Sequence, residues 1–321
     1  MPKLSQIFPR RDNMTKAHVV IAEHMAKVRR QPQHPRRSAY DVITDRILDA
    51  LAAGVVPWRK PWTLTTGLLP TSVASNKPYQ GINRLLLGLT DYTDTRWLTY
   101  RKALELDGHV RKGEKSMPIV FFKPQQIEEE DKTGKMVIKS IPILKYDTVF
   151  NVQQCDGLTL PPLDDTPPPV ESLPTAEAVV DNMPHRPRIS NDGGNQAFYR
   201  PASDSVHMPL KAAFQQSSGY YSVLFHELGH STGHADRLDR GLSESIAPFG
   251  SEDYSKEELV AEFTAAFLTN HVGIDNTTAN SAAYISSWSK ALRSDKRLIV
   301  HAASKAQKAA NYILNIEEGT C

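Results

Sequence analysis

The segment His226-Glu227-Leu228-Gly229-His230 constrains this chain more than any other, because it dictates a local conformation and a chemistry together. Residues four apart on an α-helix are stacked neighbours, so a helix here presents both imidazoles to one cation and sets Glu227 beside the position left open. This is the HExxH spacing of zinc hydrolases. Zinc held by neutral imidazoles and one carboxylate keeps a position for water, whose pKa falls towards about 7, and a neighbouring carboxylate can then take the proton. The spacing predicts His226 and His230 as ligands of one Zn2+ ion and Glu227 as the catalytic base. Tyr220, Tyr221, Val223, Leu224, Phe225 and Leu228 form an apolar stretch that buries the segment, and buried ionisable groups need a partner or a metal.

Three positions compete to be the third ligand. Extension of the motif through Gly233 reaches Asp236 at the spacing of metzincin-like sites, with His234 close by. Further on, Ser255 to Leu268 contains no Gly or Pro and repeats its apolar residues at helical spacing, so it reads as a buried helix. Glu258 and Glu262 share one face of it. Sites of the gluzincin type take a carboxylate from such a second helix and use an acid four residues later to orient a ligand His. That favours Glu258 on the metal and Glu262 behind it. Ser255-x-x-Glu258 is also a capping box, however, and a Glu258 committed to helix amides would leave Glu262 as the better ligand.

At 321 residues the chain has length for about two domains. No run approaches the roughly 18 apolar residues of a membrane span, and the amino terminus lacks a charged-then-apolar signal, so a soluble, cytoplasmic protein with no membrane partner is expected. Cys155 and Cys321 are too few for a disulfide framework or a thiolate zinc site. The net charge of +2 hides an asymmetry, since residues 1–60 hold 12 Lys/Arg against 5 Asp/Glu. Arg29, Arg30, Arg36 and Arg37, interleaved with Pro32 and Pro35, predict a basic, extended arm over residues 1–37.

From Tyr40 an amphipathic helix is expected, with Ile43, Ile47, Leu48 and Leu51 on one face and Gly54 as its cap. Then follows Pro57-Trp58-Arg59-Lys60-Pro61-Trp62, two indoles and two cations on a proline-stiffened loop. Such a loop suits an unpaired strand, because each stacked base contributes about 1–3 kcal/mol while Lys and Arg meet phosphates. A Trp here can equally anchor the loop in the core. Short helices near Asn83 and Arg101–Leu106, a strand at Ile119–Phe122, a partner at Met136–Ile138 or Ile141–Leu144, and a further strand at Asp147–Val152 complete a small α+β unit over residues 38–157. The acidic, proline-rich residues 158–174 read as a linker. Residues 175–321 follow, with strands at Ala197–Tyr199 and Ser205–Met208 and two closing helices at Ala282–Leu292 and Ser294–Ile316.

Several dispersed segments carry a family resemblance. Tyr40 to Thr44, Gly54 to Trp62, Gly81-Ile82-Asn83, Trp97-Leu98-Thr99-Tyr100, Val110 to Glu114 and Val149 to Gln154 are similar to the amino-terminal domain of ArdC-type antirestriction proteins, also found in TraC-type plasmid primases. His226 to His230, Gly233-His234, Arg237-Leu238 and Glu257 to Glu262 resemble that family's carboxy-terminal zincin-like metallopeptidase domain. The resemblance implies an α+β protein of two domains: a single-stranded-DNA-binding front half and a helix-rich zincin-like back half. It also implies protection of incoming plasmid or mobile DNA from restriction during conjugation. On this reading the DNA contacts are Trp58, Arg59, Lys60, Trp62, Asn83, Arg84, Trp97, Arg111, Lys112 and Lys115. The alternative is a zinc metalloprotease that DNA binding delivers to a host restriction or regulatory protein.

Overall fold

The periodicity after Tyr40 becomes helix α1 (Ala39–Ala52), which buries Ile43, Ile47, Leu48 and Leu51. It stops where Gly54 turns to φ +76°, a left-handed conformation that a side chain would strain. The computed structural model describes residues 37–58, 69–90, 92–130, 136–162, 173–192, 194–214, 216–242, 252–274 and 282–316. Arg59, Lys60 and Trp62, nearly all of the arm, and most of the linker lie outside them.

Beyond α1, strand β1 (Thr71–Ser72), helix α2 (Gly81–Leu87), strand β2 (Arg96–Leu98) and helix α3 (Tyr100–Glu105) lead to β3 (His109–Val110) and a long ribbon. The ribbon consists of β4 (Met117–Glu130) and β5 (Met136–Asn151), antiparallel from Met117 opposite Val149 to Glu130 opposite Met136. The sheet order is β1-β2-β5-β4, while β3 pairs with β6 (Cys155–Asp156). The alternatives Met136–Ile138 and Ile141–Leu144 and the further strand expected at Asp147–Val152 thus fall on one strand, up to Asn151, and the pairing geometry explains how it runs through Pro142. Asn83 donates to Val120 O and accepts from Val120 N–H, both at 2.7 Å, so the peptide groups of Val120 point away from β5. Two-residue alternation then puts Pro124 and Pro142, opposite one another, at a position that needs no ladder bond.

Among the described residues the back half comprises α4 (Leu173–Asp181), a three-stranded sheet of β7 (Arg188–Ser190), β8 (Phe198–Arg200) and β9 (Ser205–His207) in the order β7-β9-β8, and four helices. These are α5 (Ser217–Ser231), α6 (Glu252–His271), α7 (Ala282–Ser294) and α8 (Leu298–Ile313). Mixed helix and sheet in two regions agrees with the α+β expectation. Their cores are continuous: from Ala39 onward the chain is one compact unit, and Ile43, Trp58, Ile82, Phe225, Phe263 and Ile299 belong to one apolar cluster.

That continuity corrects several expected DNA contacts. Trp58 is 0% exposed, and its indole meets Phe263 at 4.7 Å and Trp288 at 5.2 Å between ring centres, so it braces the core and cannot stack on a base. Trp97 is buried with Leu87, Met117 and Val149 and stands edge-on to Tyr92. Arg84 is buried too. Its guanidinium lies over the Phe267 ring at 4.9 Å, donates to Phe267 O at 3.3 Å and bonds the Asn270 side chain, which ties α2 to α6 instead of meeting a phosphate. The Asn83 carboxamide is committed to β4. Trp58→Ala should therefore lower folding stability by about 3–5 kcal/mol in urea denaturation, as for other buried aromatics, and a loss below about 1 kcal/mol would contradict the core placement.

Candidate metal centre

Helices α5 and α6 meet at Gly229. A Cβ there would lie 3.1 Å from Ala261 Cα and 3.2 Å from Thr264 Cβ, so only glycine lets the two backbones approach so closely without a shift. The crossing brings the carboxylate of Glu258 between the two imidazoles. His226 Nε2 is 3.5 Å from Glu258 Oε2, His230 Nε2 is 3.4 Å from Glu258 Oε1, and the two Nε2 atoms are 3.1 Å apart. A tetrahedral ion with bonds of about 2.0–2.1 Å spaces its donors roughly 3.3 Å apart, so the triangle has the dimensions of three ligands on one divalent cation. Among the described residues this is the group of His, Cys, Asp and Glu that could hold a metal.

Each imidazole is steadied from its far side. Glu262 Oε1 is 3.7 Å from His226 Nδ1, and Glu257 Oε1 is 3.6 Å from His230 Nδ1. Glu257 is itself gripped by Arg240, through Nη2 at 2.5 Å and Nε at 3.2 Å. Arg240 also donates to Gly229 O at 2.9 Å and to Thr232 Oγ1 at 2.7 Å, which fastens the turn after α5 against α6. Such outer contacts orient ligands and raise their basicity. Glu227, 7% exposed, shares α5 with both histidines. Asp236 is not brought to the cluster: its side chain is 76% exposed and stands 3.5 Å from His234 Nδ1. Because α6 begins at Glu252, Ser255 lies inside the helix and Glu258 faces the histidines.

Glu257 and Arg240 were not singled out from sequence. Glu257 sits inside the Glu257-to-Glu262 segment, but its neighbour carried the ligand spacing, and Arg240 reaches it only through the tertiary fold. Arg237 plays a second bracing part, donating to Ser231 O at 2.7 Å and to His185 O at 2.9 Å, and pairing with Asp204.

Electrostatically the centre is a proton trap as well as a metal trap. Burial opposes charge on His230, yet the carboxylates of Glu257 and Glu258 beside it outweigh burial and raise its pKa to about 10; at His226 the carboxylate of Glu258, with Glu227 and Glu262, raises the pKa against burial and the neighbouring imidazole. Burial also opposes charge on Glu258, but the two imidazoles hold its carboxyl well below the usual range. An imidazole must lose its proton before it can ligate a metal. Metal affinity should therefore rise with pH from about 6 to 9, by up to about tenfold per unit for each proton displaced. Calorimetric titration in buffers of different ionisation enthalpy measures this directly, and a flat profile without proton release would contradict it.

Comparison with known proteins covers both halves. Residues 37–150 match the N-terminal domain of anti-restriction factor ArdC, and residues 174–305 match the zincin-like metallopeptidase family. The crystal structure of antirestriction ArdC protein from plasmid R388, in its metal-free form, is 37% identical with a TM-score of 0.69, covering 88% of this chain and 100% of that one. The Mn(II)-bound form gives 37% identity, a TM-score of 0.68, and coverage of 89% and 100%. The uncharacterized protein y4eC of Sinorhizobium fredii is 37% identical over 301 residues, covering 88% of this chain and 94% of its own. DNA primase TraC of Escherichia coli is 36% identical over 299 residues, but this chain spans only 28% of its length. With an ArdC amino-terminal domain, a zincin-like domain behind it, and the fold of the solved R388 protein across both, the chain belongs to the ArdC family of antirestriction proteins.

Proposed function

We propose that this chain binds single-stranded DNA to protect incoming mobile DNA during conjugation, and that its metal centre is a zinc site able to cleave peptide bonds. The observation that carries the enzymatic half is Glu258 lying between His226 and His230, with Glu227 on the same helix. Two imidazoles and a carboxylate suit zinc better than the all-oxygen sets preferred by harder cations, although the R388 structure holds Mn(II). A divalent ion there would supply Lewis acidity to a peptide carbonyl. Glu227 accepts the proton of the attacking water on its carboxylate and returns it to the departing nitrogen. Glu262 and the Glu257–Arg240 pair keep the ligand rings aimed.

With Trp58 and Trp97 in the core, the nucleic-acid surface has to be sought on the ribbon. Phe121 is 45% exposed and stands opposite Lys145, with Lys123 on the same face of the ladder, an aromatic ring between two cations. Lys112 and Lys115 are exposed on the turn before β4. Arg111 braces that turn, donating to Glu114, Asp156 and Gln153 O. Arg59, Lys60 and Trp62 complete the proposed contact set. No helix among the described residues is long and apolar enough to cross a membrane.

Glu227→Gln separates the two roles. It should leave metal content and oligonucleotide affinity unchanged while lowering casein hydrolysis by about 100- to 10,000-fold; unchanged hydrolysis would rule out Glu227 as the base. If transfer into a restricting recipient also loses protection, the second reading, a DNA-targeted protease acting on a host restriction or regulatory protein, becomes the better one. For the ribbon, joint replacement of Lys123 and Lys145 by Ala should flatten the salt dependence of single-strand affinity by a slope of about 0.7 per lost phosphate contact. An unaltered slope would place the DNA elsewhere.

A further inference from the structure

A cleft of about 390 Å³ opens between α2, β4 and α8, bordered on the ribbon by Val120, Phe121 and Phe122. Its size falls within the roughly 300–1,000 Å³ of small-ligand sites, and it lies where the two family regions meet, a common place for them. The floor is apolar, formed by Ile82, Val120, Leu144 and Val300. Phe122 projects from the same ladder face as Val120 and Leu144 and remains 52% exposed at the cleft's edge, a ring with one face in water. The opposite wall is a polar stripe of α8. Ser304, Gln307 and Asn311 follow Val300 at helical spacing, and Gln80 joins them from the start of α2.

We infer that this cleft receives one unpaired nucleobase of the bound strand, an inference that rests on the single-stranded-DNA reading above. Three features select that occupant. The wall groups are carboxamides and a hydroxyl beside the cation Lys308, a set that matches the edge of a base and its phosphate, whereas no carboxylate lines the cleft. Gln307 Oε1 accepts from Gly81 N–H at 3.1 Å and its Nε2 donates to Asn311 Oδ1 at 2.9 Å, so both amides are held in fixed orientation, each with a second N–H for a base carbonyl. A peptide adding to the edge of β4 is disfavoured, because Asn83 already takes both peptide groups of Val120. Phe121, flanked by Lys123 and Lys145, and Phe122 alternate along the ladder and both border the cleft, so a strand crossing the ribbon edge would meet a ring at each step.

The test uses full-length protein and fluorescein-labelled oligothymidylate in anisotropy titrations. Phe122→Ala removes the stacking ring, and Ser304→Trp fills the cleft from an exposed helical position that folding does not need. Each should weaken binding by about fivefold or more, with thermal unfolding unchanged. An oligonucleotide bearing 5-iodouracil, photolysed in complex with the wild type, should crosslink within Met117–Lys123 or Val300–Asn311. Wild-type affinity in both variants, or crosslinks confined to other segments, would overturn the cleft assignment while leaving DNA binding intact. Absence of oligothymidylate binding by the wild type would instead defeat the DNA reading, and the cleft assignment with it.

Discussion

The close crossing of α5 over α6 at Gly229 is the contact on which the rest depends. His226 and His230 project from one helix and Glu258 from the other, so their meeting requires the two axes to approach until Gly229 touches Ala261. A larger residue would move the carboxylate away by a few tenths of an ångström, on the scale that separates three ligands from two ligands and a bystander. Arg240 secures the crossing from the far side, holding a carbonyl of α5 and a carboxylate of α6 with one guanidinium. A single cation thus joins the turn after the motif to the group that steadies His230.

The same helix α6 joins the two halves. Its Phe263 packs on Trp58, and its end at Phe267 and Asn270 receives Arg84. Between Glu258 and Asn270, one side of α6 faces the candidate metal centre and another is anchored by the amino-terminal region. Side chains that composition suggests as ligands for DNA are therefore the bolts between the region proposed to bind DNA and the helix that carries the proposed ligand Glu258. Strain at either end has a rigid, well-packed element through which to act, because the shared core is continuous from α1 to α8.

What could be read from the sequence follows the range of the interaction. The pairing of His226 with His230, and of Glu258 with Glu262, depends on helical spacing within a few residues, and such spacing is visible in any string of letters. The helix at Ala39–Ala52 was legible for the same reason. The fate of Trp58 was not, because an indole beside Arg and Lys on a proline loop looks alike whether it awaits a base or enters a core; only Phe263 and Trp288, more than two hundred residues away, decide it. Asp236 competed on spacing alone and lost to a contact between distant helices. The ribbon was underestimated because its apolar runs are short and interrupted, and the bond pattern that lets Pro124 and Pro142 sit within it is set by Asn83, a residue outside the ribbon.

Anomalous diffraction from crystals grown with zinc and recorded on either side of its absorption edge tests the centre most directly. One peak per chain is expected, bounded by His226, His230 and Glu258. A peak seated on His234 and Asp236, or the absence of any peak at saturating zinc, would contradict the assignment.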